Sequence, residues 1–181
     1  MVVATVAPRF GKAEIERMIP HAGSMVLLDN VEAWSADHIV CTAHSHASAT
    51  NPLRRAEMLS SVMAIEYAAQ AVAVHGGLCR NLACGEAAMA DAAESENSSA
   101  ARRGYLAVLS EVEWRQPRID SITAALQVRA TRLAVLSAAT EYAFEICAAG
   151  DTLVTGRLMI AMEPPQAVAG AGDQALLQLN R

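Results

Sequence analysis

Glu66 is an isolated charged residue in an apolar segment of the chain. The segment from Glu57 to His75 reads EMLSSVMAIEYAAQAVAVH, and Glu66 is the only charged side chain inside it. Burying an unpaired carboxylate is costly, so a carboxylate kept in such a segment is a candidate for general acid–base chemistry. Two other interpretations stay open: a carboxylate held by structural hydrogen bonds, and a helix register that turns Glu66 towards solvent.

Two uncharged residues share the predicted helix face of Glu66. Gln70 lies one turn after it and Met63 one turn before it, so the three side chains should lie close together. We therefore expect Gln70 and Met63 to contact a substrate bound at Glu66.

The histidines supply candidate bases. His21 follows Pro20 in a loop, and His44 and His46 lie on one side of a strand-like run that leads towards the apolar segment. Each could instead have a purely structural role, such as capping a turn. A metal site would need a third ligand at a compatible spacing, and the spacing of these histidines offers none, so no metal is expected. His75 should face away from Glu66.

Composition and motifs exclude several function classes. A net charge of −5 disfavours nucleic-acid binding, and the longest apolar run is broken by Glu66 and Gln70, which disfavours a membrane span. The four cysteines form no metal or redox motif, and the first ten residues do not resemble a secretory signal. These features indicate a cytoplasmic protein without disulfides, and no nucleotide-binding or nucleophile-elbow motif is present.

Hydrophobic periodicity predicts a short helix, two strands, a long helix and four more strands. The helices are expected at residues 12–19 and 57–78, the second ending at Gly76-Gly77. The strands are expected at residues 25–34, 38–46, 105–115, 122–133, 136–147 and 153–162.

This order of elements predicts an α+β protein of the hot-dog type, in which an antiparallel sheet of five or six strands wraps around one long buried central helix. We expect a single domain over residues 1–162 with a flexible insertion at about 81–103, which is rich in Ala, Ser and Glu. Residues 163–181 are expected to be a loose tail.

Three motifs resemble one enzyme family. Residues 19–31, IPHAGSMVLLDNV, resemble the opening Pro-His-x-x-x-Met-x-Leu-Leu-Asp-x-Val of the β-hydroxyacyl-acyl-carrier-protein dehydratases. Residues 65–71, IEYAAQA, resemble their central-helix motif Glu-x-x-Ala-Gln, and residues 104–106 with 113–117 resemble the strand and turn that follow. The resemblance spans residues 12–162 and is closest to the branch associated with aryl-polyene-type lipid pathways.

The resemblance implies an enzyme that dehydrates 3-hydroxyacyl thioesters, linked to acyl carrier protein or coenzyme A, in fatty-acid or polyene lipid biosynthesis, without a cofactor. Glu66 matches a catalytic position of the family, and Met25 of the opening motif is a candidate substrate contact. The family's catalytic His lies in a loop before the helix, where this chain reads ATNPLRR over residues 49–55. His21, or alternatively His46, would therefore act as a substituted base.

Two alternatives follow from that departure. A hot-dog thioesterase also uses a helix carboxylate, and it would hydrolyse the thioester instead. A non-catalytic, dehydratase-like subunit that supports an active partner would need no base.

Partners are expected on two grounds. Arg54 and Arg55 before the long helix, and Arg102 and Arg103 before Gly104, are candidate contacts for an acidic carrier protein or a coenzyme phosphate. The hydrophobic fraction of 53 % is high for this length and predicts a dimer, homo- or hetero-oligomeric, formed through the sheet and helix.

Overall fold

The protein, seen in a computed structural model, is described over residues 10–90 and 104–162. Its elements are β1 (Phe10–Gly11), α1 (Lys12–Met18), β2 (Asn30–Trp34), β3 (His38–Ala43), α2 (Ala64–Ala90), β4 (Gly104–Trp114), β5 (Leu126–Val135), β6 (Ala139–Ala148) and β7 (Asp151–Met162). The predicted tail, and residues 91–103 of the predicted insertion, lie outside the described residues.

The strands form one antiparallel sheet in the order β1-β2-β3-β5-β6-β7-β4. Helix α2 packs against β3, β5 and β6, and buries Tyr67, Ala68, Ala71 and Val74 completely. The fold is therefore a hot-dog, as predicted. The sheet has seven strands rather than five or six because the two-residue β1, too short to leave a sequence pattern, pairs with β2.

The central helix begins later than the sequence predicts. A 3-10 turn, Ser61–Met63, precedes Ala64, and the side chain of Ser60 caps it by accepting a hydrogen bond from the Val62 amide. Residues 56 and 57 have positive φ angles of 46° and 58°, and Ser60 forms a β-bridge with Arg118. Backbone pairing to the segment after β4 thus takes the residues that were expected to form the first helical turn.

The helix also ends later than predicted, at Ala90 instead of at Gly76-Gly77. Glycine inside a helix costs only about 1 kcal/mol relative to alanine. A Cβ on Gly77 would lie 3.5 Å from Met18 Cβ, so this glycine is a point of close approach to α1. Residues 81–90, predicted to be flexible, continue the helix.

The apolar stretch Ser61–Arg80 is long enough to cross a membrane by length and composition, with a mean hydropathy of 1.2. In this fold, 56 % of that window is buried, and a core helix meets the same criteria. Its hydropathy reflects its packing under the sheet.

Both of the first two predicted strands are shorter than expected. Residues 26–28 are fully buried, but the Leu27 amide donates to the side chain of Gln70 at 2.9 Å rather than to a strand, so β2 begins only at Asn30. Strand β3 ends at Ala43, because the chain then turns through a 3-10 helix, Ser45–Ala47. Side-chain hydrogen bonds replace sheet pairing around the start of α2.

An ion-pair cluster anchors the entry of α2. The carboxylate of Asp120 is almost fully buried and contacts Arg54 at 2.9 Å and Arg118 at 2.6 Å. Nearby, the Ile119 amide donates to the carbonyl of Leu59. The hydrogen bonds from Arg118 hold the pKa of Asp120 well below its usual range. This stabilisation is therefore present above the usual pKa of an aspartate and is lost as pH falls through the lowered value.

We predict that Asp120→Asn lowers the free energy of unfolding at pH 7 by about 2 kcal/mol or more, because it removes charge-assisted hydrogen bonds and leaves Arg54 partly buried and unpaired. Denaturant titration at pH 7 and pH 3 checks this, and the difference from wild type should shrink at pH 3. Arg129→Gln is the control, since its pair with Glu145 is exposed and should contribute no more than about 1 kcal/mol. Equal effects of the two variants would contradict the anchoring role.

Candidate active site on the central helix

Glu66 and His21 meet although they lie 45 residues apart in the sequence. Glu66 lies in the first turn of α2, where the helix dipole favours a carboxylate. Helix α1 ends before Pro20, and the Gly23 amide donates to Glu16 Oε1 at 2.8 Å, which fixes the loop that carries His21. As a result, His21 Nε2 lies 3.1 Å from Glu66 Oε1.

Gln70 holds Glu66 and the opening motif together. Its side chain has no solvent exposure, and its Nε2 donates to Glu66 Oε1 at 3.1 Å and to the carbonyl of Met25 at 2.8 Å. Its Oε1 accepts a hydrogen bond from the Leu27 amide at 2.9 Å. Gln70, which was predicted to contact substrate, is buried here and holds the Glu66 carboxylate in place.

The hydrogen bonds constrain where protons lie in this pair. Oε1 of Glu66 accepts from the Gln70 amide and faces His21 Nε2, while the structure gives Oε2 no partner within residues 10–90 and 104–162. His21 Nδ1 is buried and has no hydrogen-bond partner in the same residues. One carboxyl oxygen is therefore held while the other is free for a ligand, and the 3.1 Å contact can carry a proton between the two side chains.

The all-round apolar composition of the helix suggested that Glu66 would be sealed in the core, but the structure leaves it partly exposed. Its side chain is 31 % exposed, and that of His21 is 30 % exposed. Both line a pocket of about 670 Å³ that follows one face of α2 through Ala69, Ala73 and Gly76. This size is within the range of small-molecule sites.

The sheet side of the pocket is formed by β4, β6 and β7, and Tyr142 of β6 lines it. The Tyr142 hydroxyl lies 2.9 Å from His75 Nδ1, and His75 Nε2 lies 2.9 Å from the carbonyl of Ser35. Because a carbonyl only accepts, Nε2 carries the proton of a neutral His75, and Tyr142 donates to Nδ1. Burial lowers the pKa of His75 and raises that of Tyr142 to about 12, which is consistent with this arrangement.

The other candidate base is placed elsewhere. His46 is fully buried, its Nε2 donates to the carbonyl of Ile122 at 3.0 Å, and it does not line the pocket. Burial lowers its pKa, so the ring stays neutral in the core. Met25 and Met63, the predicted substrate contacts, are also absent from the pocket lining.

The loop that replaces the family's histidine loop has a structural role. Asn51 is buried, and its Nδ2 donates to the carbonyl of Ser45 at 2.8 Å and to the Tyr67 hydroxyl at 2.9 Å. Ser45 Oγ in turn donates to the carbonyl of Leu27 at 2.7 Å. This network ties the loop to α2 and brings no titratable group to the pocket.

The predicted carrier contacts divide into three cases. Arg54 is already used by Asp120 and by the carbonyl of Glu57, so it is not a free cation. Arg55 is exposed and bonds only to neighbouring carbonyls. Arg102 and Arg103 lie outside the described residues.

Comparison with known proteins gives the family. A model of the ApeP-like family, described as ApeP dehydratase, matches residues 13–170. The chain belongs to the ApeP-like dehydratase family. This confirms the resemblance noted in the sequence and supports dehydratase function in general. No curated protein matches the chain.

Solved structures agree with this assignment. The ApeP-like chain matches the dehydratase heterocomplex ApeI:P from Xenorhabdus doucetiae with a TM-score of 0.65 and 26 % identity, over 83 % of this chain and 91 % of that one. It also matches a thioesterase from Haemophilus influenzae with a TM-score of 0.56 and 12 % identity, over 88 % and 95 % of the two chains. The second likeness shows the hot-dog fold alone.

Three titratable residues that line the pocket of this ApeP-like chain were not predicted from the sequence: Arg17, Arg80 and Tyr142. Arg17 and Tyr142 lie on elements whose position relative to Glu66 is set only by tertiary packing, so no local pattern marks them. Arg80 lies on α2 itself, beyond Gly76-Gly77, where the helix was expected to end. At the N-terminal end of α2, the amides of Val62, Met63 and Ala64 already bond within the 3-10 turn, so they are not available to a substrate carbonyl.

We predict that Gln70→Leu destabilises the protein by about 2 kcal/mol or more, because the Leu27 amide and the Met25 carbonyl lose their buried partner. Denaturant titration measures the change. Gln127→Leu is the control, since Gln127 is only half-buried and its side chain bonds to an exposed arginine. A Gln70→Leu variant as stable as the control would show that the buried amide does not hold these segments.

Proposed function

We propose that this chain dehydrates 3-hydroxyacyl thioesters, using Glu66 and His21 as its acid–base pair. The supporting observation is the 3.1 Å contact between His21 Nε2 and Glu66 Oε1 within a pocket large enough for an acyl thioester. The ApeP-like family and the dehydratase heterocomplex add support for the class of reaction. We place the reaction in the fatty-acid or polyene lipid biosynthesis of the cytoplasm, on a carrier-protein or coenzyme A thioester.

Dehydration requires a base that removes a proton from the carbon next to the thioester carbonyl, and an acid that gives a proton to the leaving hydroxyl. An unprotonated nitrogen of His21 takes the proton from the carbon next to the thioester carbonyl, and the C–O bond to the hydroxyl breaks as the double bond forms. The protonated carboxyl of Glu66 supplies the proton with which the hydroxyl leaves as water. The proton on His21 then passes to the Glu66 carboxylate across their contact, which restores the starting state. Neither step requires a metal or an organic cofactor.

A second candidate function, a non-catalytic subunit, is favoured by one observation. The loop before α2 lacks a histidine, and Asn51 of that loop is committed to a buried structural network. The solved structure that this chain resembles is described as a dehydratase heterocomplex, ApeI:P. A subunit of this kind would support a partner's site without turnover of its own.

We predict that Glu66→Gln and His21→Asn each lower the turnover of a 3-hydroxyacyl thioester on the order of 10²-fold or more while the protein stays folded. Enoyl product formation, followed by absorbance and normalised to folded protein, measures this. His44→Gln is the matched control, because His44 is exposed and pairs only with Asp29. His46→Gln should also be nearly silent per folded molecule.

Other outcomes would identify the alternatives. Hydrolysis of a plain acyl thioester that is lost in Glu66→Gln would make the protein a thioesterase. A wild-type protein inactive alone, whose Glu66 and His21 variants leave a partner's activity unchanged, would be the non-catalytic subunit.

We further propose that a second hot-dog subunit covers the outer edge of β4. This strand ends the sheet, and ten of its eleven residues are exposed, among them the apolar Tyr105, Leu106, Val108 and Leu109. A long apolar edge strand is a template for pairing with another chain. The heterocomplex neighbour supports a subunit of the same fold as the occupant.

We predict that Val108→Lys shifts the protein, alone or with its partner subunit, from the oligomer to the monomer in light scattering. A lysine on this edge would be buried on pairing, which is unfavourable. Val135→Lys is the control, because Val135 is a more exposed valine, at the end of β5. An unchanged mass in Val108→Lys, or an equal shift in both variants, would remove β4 from the interface.

A further inference from the structure

Two arginines line the pocket, and neither has a polar partner among the residues that the structure describes. Arg17 is in the last turn of α1 and Arg80 is on α2. Neither forms a hydrogen bond or an ion pair with another residue in the part of the chain that the structure describes. Among the described residues, Glu66 is the only acidic one that lines the pocket. The pocket of this acidic protein therefore offers two unpaired cations to a ligand.

The last turn of α1, which carries Arg17, meets α2 at Gly77, next to the Gly76 position over which Arg80 lies. Met18, next to Arg17, packs against Gly77, where a Cβ would lie 3.5 Å from Met18 Cβ. The guanidinium of Arg80 lies over Gly76, with its Nη1 3.5 Å from the position of a Cβ there. Gly76 lies one helical turn before Arg80. Because Gly76 has no side chain, it leaves this nitrogen of Arg80 open to the pocket.

The cationic end is separated from the acid–base pair by a defined distance. Gly76 follows Glu66 by ten residues, which corresponds to about 15 Å along a helix. The helix face between them carries Ala69, Val72 and Ala73, and these small apolar residues line the same pocket. The pocket is thus an apolar groove with proton-transfer groups at one end and cations at the other.

We propose that Arg17 and Arg80 bind the phosphate of the pantetheine arm that carries the acyl group; this assignment rests on the proposed function. In every such thioester the phosphate lies at a fixed chain distance from the sulfur, whereas the far end of the acyl group varies with the substrate. Two cations at fixed positions in the pocket could therefore bind the phosphate of the arm whichever acyl group it carries. Guanidinium groups also bind phosphate oxygens in a bidentate manner. The sites predicted at Arg54 and Arg55 are not needed for this contact.

The test compares two ligands that differ only in the phosphate. We expect wild-type protein to bind 4′-phosphopantetheine about 10-fold more tightly than pantetheine at low salt, with the difference shrinking at high salt because the cations are exposed. The double variant Arg17→Gln with Arg80→Gln should bind both ligands equally, whereas Arg129→Gln, which removes an exposed arginine outside the pocket, should keep the preference. Titration calorimetry gives the Kd values, and circular dichroism confirms folding.

Equal affinity of wild type for the two ligands, or a preference that survives in the double variant, would overturn this assignment. The second result would move the phosphate contact to other arginines. Because binding needs no turnover, a phosphate preference in a protein without dehydratase activity would overturn the proposed function alone. Dehydration without a phosphate preference would overturn the arginine assignment alone.

The source of the phosphate is resolved by turnover. The kcat/KM values for the same acyl group on coenzyme A and on acyl carrier protein are compared in wild type and in the double variant. If the carrier-borne arm is the natural ligand, we expect the double variant to raise KM for the carrier substrate with kcat nearly unchanged. A fall in kcat at unchanged KM would place the arginines in the chemical step and contradict a role in binding.

Discussion

Gln70 makes three hydrogen bonds from a side chain without solvent exposure, to Glu66, to the carbonyl of Met25 and to the amide of Leu27. In the interior such bonds are costly to leave unmade, so the amide constrains both backbone groups and the carboxylate at once. Residues 26–28 are buried like a core strand, yet they give a backbone hydrogen bond to the helix instead of to the sheet. Because this backbone hydrogen bond goes to Gln70 and not to a neighbouring strand, residues 26–28 follow an irregular path and do not form a strand.

The remaining supports of the site act on the same two segments. Glu16 fixes the loop of His21 through the Gly23 amide, and the Asp120 cluster holds the chain that enters α2. The Asn51 network joins Tyr67 of the helix to the loop where the related enzymes carry their histidine. An acid–base pair of the proposed kind needs placement to within a fraction of an ångström, and these contacts hold the two segments that carry Glu66 and His21.

The pocket also connects the chemistry to assembly. Gly104 and Leu106 of the exposed edge strand β4 line the same pocket as Glu66 and His21. A second subunit bound along β4 would therefore border the site and reduce its access to water. Exclusion of water strengthens electrostatic interactions such as that between Glu66 and His21. One partner subunit bound along β4 would therefore cover both the exposed apolar edge of the sheet and the part of the pocket that β4 lines.

The sequence by itself determined the fold class, the long apolar helix, most of the strands, and Glu66, His21 and Gln70 as residues of interest, because periodicity and a lone carboxylate in an apolar run are local signals. Tertiary structure decided the rest. It brought His21 to Glu66, placed His46 in the core, and placed Gln70 in a buried hydrogen-bond network with Glu66. It paired Arg54 with Asp120, and it placed Arg17 and Arg80 in the lining of the pocket. These outcomes depend on contacts between residues far apart in the chain, such as the 45 residues between His21 and Glu66, and no local pattern encodes such a contact.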